Sequence, residues 1–367
     1  MKRTEFIKMC ALFGISIPLQ ATIQSCNKDD ITNSMFSGKV TIIGAGAGGL
    51  AAGYLLKQQG IDFEILEAST VYGGRMKVNT DFADFPIPLG AEWLETGTGI
   101  FQEIVNDSSI SVNVDTIADA PDRKFINSSW FNFFEQYIVP SIADKINYTT
   151  IVQSIDYSGD QIVINTQNGQ YISDKVIVSV PLKILQDGDI SFLPSLPEDK
   201  TNAINDATIW EGFKAFIEFS EKFYDDNYEF DINPASDGEK IYYNAAYGQN
   251  TTKNILGLFV VGTPALDFTS LSGDELRDFI LNELNGIYSN QATPNYIKHI
   301  TQDWDNEPFI KAGYMTDNAD WRMVRKLGES VANKIYFSGG AYTNGEDWVS
   351  VHAAAQSAKA VIEEIVG

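Results

Sequence analysis

The sequence predicts an α/β protein in which a parallel sheet is accompanied by a second, mixed sheet. Three observations lead to this fold class. A β-branched run over 39–43 leads directly into a glycine-rich turn and an apolar helix pattern, as is typical of a buried parallel strand. Alternating runs around an Asn-Gly turn at 168–169 predict antiparallel strands. Further strands are expected near 214–219, 240–246 and 256–261, followed by a helix over 273–288 that Ser272 opens.

The composition is that of a globular protein with an acidic surface. The chain has 367 residues, of which 44% are hydrophobic, enough for two ordinary domains. A net charge of −23 disfavours nucleic acid as a partner and favours cationic small molecules, although the same acidity could simply reflect the solvent of the organism. Two cysteines (Cys10 and Cys26) and two histidines (His299 and His352) argue against a disulfide scaffold, thiol catalysis in the body of the chain and a histidine-rich metal site.

The first 26 residues are expected to be an export signal. Three basic residues within the first eight precede an apolar run over 9–19 that is too short to span a bilayer. The stretch Ile23-Gln-Ser-Cys26 resembles a bacterial lipobox, whose cysteine is lipidated, and plain secretion is the alternative because Gln24 fits imperfectly. Residues 27–37 are polar and are expected to form a tether. The expected location is the periplasm or the cell surface of a bacterium, with membrane contact only through the lipid.

The glycine-rich turn has the spacing of a dinucleotide-binding site. Gly44, Gly46 and Gly49 follow the first strand and open the helix pattern. The first glycine permits a tight turn, the second lets the backbone approach a pyrophosphate, and the third lets the helix pack on the strand. Glu67 ends a second strand over 63–66, where it can accept hydrogen bonds from ribose hydroxyls, and its charge disfavours a 2′-phosphate. These features predict a Rossmann-type domain.

A second glycine pair follows closely. Gly74 and Arg75, in the stretch Val71-Tyr-Gly-Gly-Arg75, can present backbone amides and a guanidinium to a pyrophosphate held on its other side. Together with Glu67, this stretch resembles the second cofactor contact of the flavin-containing amine oxidases, a family that includes monoamine, polyamine and L-amino-acid oxidases. The resemblance implies FAD as the cofactor.

Later stretches keep the order found in that family. The segment Leu89-Gly-Ala-Glu-Trp93 resembles the one that passes along the flavin, and the closing segment 334–351 resembles the one under its pyrimidine and ribityl parts. The resemblance implies that the strand near Val152 holds the adenine. The cofactor-binding residues implied beyond the fingerprint are Gly90, Ala91, Glu92, Trp93, Val152, Trp304, Gly339, Gly340 and Val351.

The catalytic residues implied by the resemblance are Lys214, Tyr314 and Trp348. The family has a lysine on such a strand, which holds a water against the flavin N5. A lone lysine on an apolar strand is costly to bury without a partner, although Lys214 could instead lie on the surface of an edge strand. Tyr314 is expected to form one wall of an aromatic cage for the amine, or else to be a core residue, and Trp348 to form the opposite wall. Gly313 stands where some relatives carry a flavin-linked cysteine, so no cysteine link is expected.

Three departures from the family pattern bear on activity. The opposite wall of the cage falls near Trp348, Ser350 or Val351, where no tyrosine is available. Gly340 stands where the family usually has glutamate, and the stretch between Trp93 and Ile151 is short for a substrate domain. Short helices are expected at 100–105 and 130–137, with the aromatic residues of the second in the core. The predicted FAD-binding domain comprises 38–95, 150–195 and 330–367, and the predicted substrate domain with the mixed sheet comprises 96–149 and 196–329.

The expected function is hydride transfer from the carbon of an amine or amino acid to FAD, with an imine as product and oxygen as acceptor. Two alternatives stay open. The protein could be a flavin dehydrogenase or desaturase acting on a compound that is not an amine, because related folds share the FAD contacts. It could also be a lipoprotein that holds FAD without catalysis. The sequence gives neither the individual substrate nor the oligomeric state.

Overall fold

A computed structural model describes residues 36–116, 122–234 and 237–367. All of them belong to one compact unit, Ser34–Gly367. The expected signal, the lipobox and nearly all of the tether lie outside the described residues. Within the described part of the chain, no helix is long and apolar enough to cross a membrane.

The strands of the described residues form six sheets. In chain order the strands are β1 (Lys39–Ile43), β2 (Asp62–Leu66), β3 (Val78–Asn79), β4 (Ile87–Pro88), β5 (Trp93–Leu94), β6 (Val114–Thr116), β7 (Arg123–Phe125), β8 (Ile146–Asn147), β9 (Val152–Asp156), β10 (Ile162–Thr166), β11 (Gly169–Ser173), β12 (Lys175–Val178), β13 (Ser191–Leu193), β14 (Ile209–Trp210), β15 (Gly212–Phe219), β16 (Asn227–Glu229), β17 (Gly238–Asn244), β18 (Asn254–Gly262), β19 (Tyr296–Asp303), β20 (Tyr314–Met315) and β21 (Ile335–Phe337).

The α-helices lie between these strands and at the C-terminus. They are α1 (Ala47–Gln58), α2 (Gly99–Val105), α3 (Trp130–Tyr137), α4 (Leu182–Gln186), α5 (Glu198–Asp206), α6 (Leu266–Thr269), α7 (Gly273–Ile287), α8 (Ala292–Asn295), α9 (Trp321–Gly328) and α10 (Val351–Val366).

The predicted α/β fold with a Rossmann-type sheet is confirmed. Five parallel strands lie in the order β21-β12-β1-β2-β8, with β1 paired to β2 and β12 on either side. A Cβ on Gly49 would lie 1.9 Å from the carbonyl oxygen of Gly44, so helix α1 can approach the end of β1 only because glycine stands there. Gly44 has a φ of +102°, a conformation that glycine adopts without strain.

The second large sheet is antiparallel, in the order β16-β17-β18-β15-β19. Its strand β15 lies between two others, and all eight of its residues are buried. Because successive side chains of a strand point to opposite faces, Phe213 and Ile217 pack against helix α7, whereas Phe216 packs on the other face with Tyr243. Lys214 shares the face of Phe216, so it is neither exposed nor on an edge strand.

The segment 96–149, predicted to belong to the substrate domain, packs in part with the parallel sheet. Its strand β8 pairs with β2 and extends the parallel sheet. The aromatic residues of α3 lie in the core as expected, but that core is the one containing Val40 and Ile42 of β1. A two-residue strand carries too little hydrophobic pattern to be recognised before its partner is known. The other predicted domain boundaries stay predictions.

Candidate active site

A large cavity of about 1890 Å³ brings together the glycine-rich end of the parallel sheet and the buried face of the antiparallel sheet. All but one of the predicted site residues line it; the exception is Gly49, which packs beneath the turn. The lining members are Gly44, Gly46, Glu67, Gly74, Arg75, Gly90, Ala91, Glu92, Trp93, Val152, Lys214, Trp304, Tyr314, Gly339, Gly340, Trp348 and Val351.

The glycine-rich turn leaves open space at its second glycine. A Cβ added to Gly46 would meet no atom within 4 Å, although Gly46 lines the cavity. The turn is fixed by Glu67, whose Oε2 accepts from the backbone N–H of Ala45 at 2.6 Å and whose Oε1 accepts from that of Ser69 at 2.8 Å. Burial raises the pKa of Glu67 despite these two hydrogen bonds. The carboxylate expected to bind ribose therefore also joins the two strands at the turn.

Arg75 follows a glycine pair that lies against the same turn, since the backbone N–H of Gly73 donates to the carbonyl oxygen of Ala45 at 2.8 Å. The Nη1 of Arg75 donates to the carbonyl oxygen of Gly313 at 2.5 Å, and burial lowers the pKa of Arg75. Arg75 is half-buried and lines the cavity. Among the described residues, Arg75 forms no ion pair with a carboxylate. A desolvated guanidinium is costly without an anion, so an open glycine turn beside Arg75 fits the pyrophosphate of a dinucleotide.

Lys214 lies at the centre of a buried ionic cluster. Its Nζ donates to Glu92 Oε2 at 2.6 Å and to the carbonyl oxygens of Pro88 and Gly90 at 3.0 and 3.2 Å. The Nζ of Lys124 donates to the other oxygen of Glu92 at 3.1 Å, and the hydroxyl of Tyr243 donates to Oε2. The two lysines and Glu92 are each at most 3% exposed. We call Glu92, Lys124, Lys214 and Tyr243 the lysine cluster.

The charges of the lysine cluster follow from this geometry. Burial opposes ionisation of Glu92, but Lys214 and Lys124 outweigh it, so the pKa of Glu92 lies below its usual range. Burial lowers the pKa of Lys214; Glu92 opposes this effect and Lys124 adds to it. Burial and the neighbouring Glu92 raise the pKa of Tyr243 well above its usual range, so its hydroxyl stays a donor. The sequence prediction placed Glu92 with the cofactor and missed both Lys124 and Tyr243.

The two predicted cage residues both line the cavity, and each is held by its own neighbours. Tyr314 makes an edge contact with Trp210, with ring centroids 5.9 Å apart. The Nε1 of Trp348 donates to the carbonyl oxygen of Thr316 at 3.1 Å, which fixes the indole. Trp304 is buried and donates to the carbonyl oxygen of Leu89 at 3.0 Å, so it also anchors the segment expected to pass along the flavin.

Carboxylates also line the cavity, and the sequence analysis did not single them out. Burial, with Asp122 and Asp347 nearby, raises the pKa of Glu95 to about 7. Glu239, Asp317 and Glu95 act on Tyr314, whose pKa burial already raises. His352, which is buried, contacts Asp347 through Nε2 at 2.7 Å. The only sequence signal for these residues was the net acidity, which does not say where the charges lie. Among the lining carboxylates, those that act on Tyr314 or on Glu95 are Glu95, Asp122, Glu239, Asp317 and Asp347.

Metal chemistry has no arrangement to support it in the part of the chain that the structure describes. Over these residues, no group of three or more His, Cys, Asp or Glu side chains is placed to hold a metal ion.

Comparisons with known proteins agree with this arrangement. The family described as flavin containing amine oxidoreductase matches residues 135–366, and an NAD(P)-binding Rossmann-like domain matches residues 42–107. A solved structure of a putrescine oxidase double mutant superposes with a TM-score of 0.71 over 90% of this chain and 99% of that one. With 14% identity, that similarity concerns the fold.

Relatives with similar sequences include demethylases and an oxidase. Lysine-specific histone demethylase 1B of Mus musculus is 26% identical over 56% of this chain. Probable polyamine oxidase 4 of Arabidopsis thaliana is also 26% identical over 56% of this chain, and the match covers 41% of that protein. The match spans only 26% of the length of the mouse demethylase. Because the family match covers more than half of its residues, the chain belongs to the flavin-containing amine oxidoreductase family.

Proposed function

We propose that the protein is an FAD-dependent amine oxidase that takes a small cationic amine as substrate. The observation that carries the proposal is the composition of the cavity. Lys214, Tyr314 and Trp348 line the same space as the glycine-rich turn and Arg75, so a flavin nucleotide and an amine can be held side by side. Family membership implies FAD.

The described residues are suited to hold FAD. Gly46 leaves room for a pyrophosphate, and Arg75 supplies an uncompensated positive charge beside it. Glu67 has its carboxylate in the lining, where it can accept from ribose hydroxyls. When bound, FAD supplies the acceptor for a hydride from the amine carbon, which leaves an imine, and oxygen is the proposed final acceptor.

The protein's own groups prepare the amine. Carboxylates around Tyr314 attract an ammonium ion and repel a substrate carboxylate, which favours amines over amino acids. An ammonium must lose its proton before its carbon can release hydride, and Glu95, with a pKa of about 7, is suited to accept a proton near neutral pH. The rings of Tyr314 and Trp348 then exclude water and orient the neutral amine.

Export with a lipid anchor on Cys26 is part of the same proposal, supported by the signal-like sequence of the first 26 residues. A non-cysteine mode of FAD binding is supported by the positions of the two cysteines, Cys10 and Cys26, ahead of the cavity-forming chain. Both features are readable from the mass of the mature protein.

Replacing Gly46 by alanine should separate folding from cofactor binding. The added Cβ meets no protein atom within 4 Å, so the melting temperature of the apoprotein should not change. The methyl group would enter the space proposed for the pyrophosphate, and FAD affinity should fall about tenfold or more, equivalent to a loss of about 1.4 kcal/mol. Fluorescence titration of apoprotein with FAD measures this. Gly97→Ala, also free of contacts, is the matched control; equal FAD affinity in Gly46→Ala and wild type would contradict the proposed phosphate site.

Anaerobic mixing of the holoprotein with a panel of amines, diamines, polyamines and amino acids tests the reaction. Bleaching of the flavin band by an amine is expected. Lys214→Met should slow this reduction by about 100-fold or more, the size typical of losing a proton-transfer group. Glu92 keeps Lys124 and Tyr243 as partners in that variant, so folding and FAD content should survive. A flavin that no amine reduces, or equal rates in wild type and Lys214→Met, would count against the proposal and favour a dehydrogenase of a different substrate or a binding role.

Substrate affinity should depend on pH through Glu95. Its raised pKa means that the carboxylate is charged above about pH 7 and protonated below it. The KM for a cationic amine should therefore rise by roughly threefold to tenfold between pH 8 and pH 6, the effect of losing one charge-assisted contact of about 1 kcal/mol. Glu95→Gln should show the higher KM at both pH values. Glu346→Gln, an exposed carboxylate outside the cavity lining, should behave as wild type. A pH dependence that persists in Glu95→Gln would assign the effect to another group.

Mass spectrometry of the denatured mature protein tests export and the mode of FAD binding together. The expected mass is that of a chain beginning at the lipidated Cys26, with no flavin attached. A chain that keeps residues 1–25 would refute export, and a flavin mass located on a cysteine-containing peptide would refute the non-cysteine mode of FAD binding.

A further inference from the structure

One lysine of the lysine cluster, Lys124, does not line the cavity. Glu92, Lys214 and Tyr243 line the cavity, whereas Lys124 lies behind them, 3% exposed. Its Nζ is held from two sides, by Glu92 Oε1 at 3.1 Å and by the carbonyl oxygen of Ala245 at 2.6 Å. Lys124 therefore has no contact with a ligand in the cavity and can influence one only through its neighbours in the lysine cluster.

Strand pairing places Lys124 next to Glu92. Strands β5 and β7 pair antiparallel, with Trp93 opposite Lys124, which places Lys124 beside the residue that precedes β5. Lys214 reaches the same carboxylate from β15 of the antiparallel sheet, and Tyr243 does so from β17. Three separate parts of the chain thus converge on one carboxylate.

Two ammonium groups and one carboxylate leave one uncompensated positive charge in the interior. Such a charge is costly to bury, and the simplest way to remove it is for one lysine to release its proton. Lys214 faces the cavity and Lys124 does not, so a proton can leave to cavity water only from Lys214. Glu92 stays ionised because it is flanked on both oxygens.

We propose that Lys124 is a positioning residue: it holds Glu92 charged and turned toward Lys214, and by sharing that carboxylate it makes Lys214 the group that exchanges a proton with the cavity. The charged and titratable groups that face Lys214 are the other three members of the lysine cluster. The consequence for catalysis rests on the proposed function, whereas the consequence for the protonation of Lys214 does not.

The protonation of Lys214 can be measured without any reaction. In holoprotein labelled with [ε-¹³C]lysine, the Lys214 signal is identified by its loss in Lys214→Met and followed against pH. Lys124→Met keeps the length of the side chain and removes the charge that repels Lys214. Lys214 is then the only ammonium group of the lysine cluster on Glu92, which also keeps its hydrogen bond from Tyr243. The titration midpoint of Lys214 should rise by about one pH unit, a tenfold change in proton affinity. An unchanged or lower midpoint overturns the proposal.

Two variants separate charge from shape. Lys124→Arg keeps the positive charge behind Glu92, so the Lys214 midpoint should stay near that of wild type. A midpoint that rises in Lys124→Arg as much as in Lys124→Met would overturn the proposal, since packing would then be the cause. Lys253→Met is the control for removing a lysine beside the same sheet, because Lys253 pairs with Glu218 away from the cavity lining.

A double variant keeps the test decisive if Lys124→Met does not fold. Glu92→Gln with Lys124→Met removes both charges of the buried pair together, which avoids leaving a lone buried carboxylate. Lys214 then loses its only carboxylate partner in the cluster, and its midpoint should fall below that of wild type. A midpoint equal to wild type in the double variant overturns the proposal.

The pH profile of flavin reduction supplies the second readout. The part of the profile that follows the protonation of Lys214 should shift along the pH axis in Lys124→Met. The direction and size of this shift should equal those of the Lys214 titration midpoint. A shifted midpoint in a protein that no amine reduces would uphold the lysine cluster and refute the proposed function, so the two failures are distinguishable.

Discussion

The site depends on a single carboxylate, Glu92, that neutralises cations from two directions. Buried ion pairs seldom stabilise a fold more than apolar side chains of similar volume would, because desolvation offsets the attraction between the charges. A pair with a second ammonium attached is less favourable still. The lysine cluster is therefore better understood as a requirement of the chemistry in the cavity than as a source of stability. Backbone carbonyl groups of the surrounding strands offset part of the cost of desolvating its ammonium groups. The carbonyl oxygens of Pro88, Gly90 and Ala245 accept hydrogen bonds from the two ammonium groups.

The same segment connects the lysine cluster to the proposed phosphate site. The backbone N–H of Ala91 donates to the carbonyl oxygen of Arg75 at 2.8 Å, and a Cβ on Gly90 would lie 1.9 Å from that oxygen. Arg75 in turn binds the carbonyl oxygen of Gly313, the neighbour of Tyr314. A substitution at Gly90 would thus disturb the positions of Arg75, Lys214 and Tyr314 together. This continuity explains why residues far apart in the sequence must be positioned as one unit.

Local patterns predicted the fold and indicated the residues expected to bind the nucleotide, because the signals for both are contiguous. The strand, the three glycines and Glu67 lie within one short stretch, and the lone lysine on an apolar strand identified Lys214. What the sequence could not supply were partners set by long-range pairing. Lys124 becomes a neighbour of Glu92 only through the β5–β7 pairing, and β8 joins the parallel sheet through two residues. Neither contact can be recognised from the hydrophobic periodicity of the sequence.

Some of the acidic residues behind the net negative charge lie inside the cavity, near Tyr314. A net charge of −23 says nothing about where carboxylates lie, and most are expected on the surface of any acidic protein. Glu95, Glu239 and Asp317 instead lie close enough to Tyr314 to act on its hydroxyl, within a cavity that is also lined by the lysine cluster, which holds one excess positive charge while Lys214 is protonated. A cationic amine is attracted by the first group and repelled by the second. It can therefore approach Lys214 closely only after losing its proton, so the same two sets of charges that select a cation also favour its neutral form at the point of reaction.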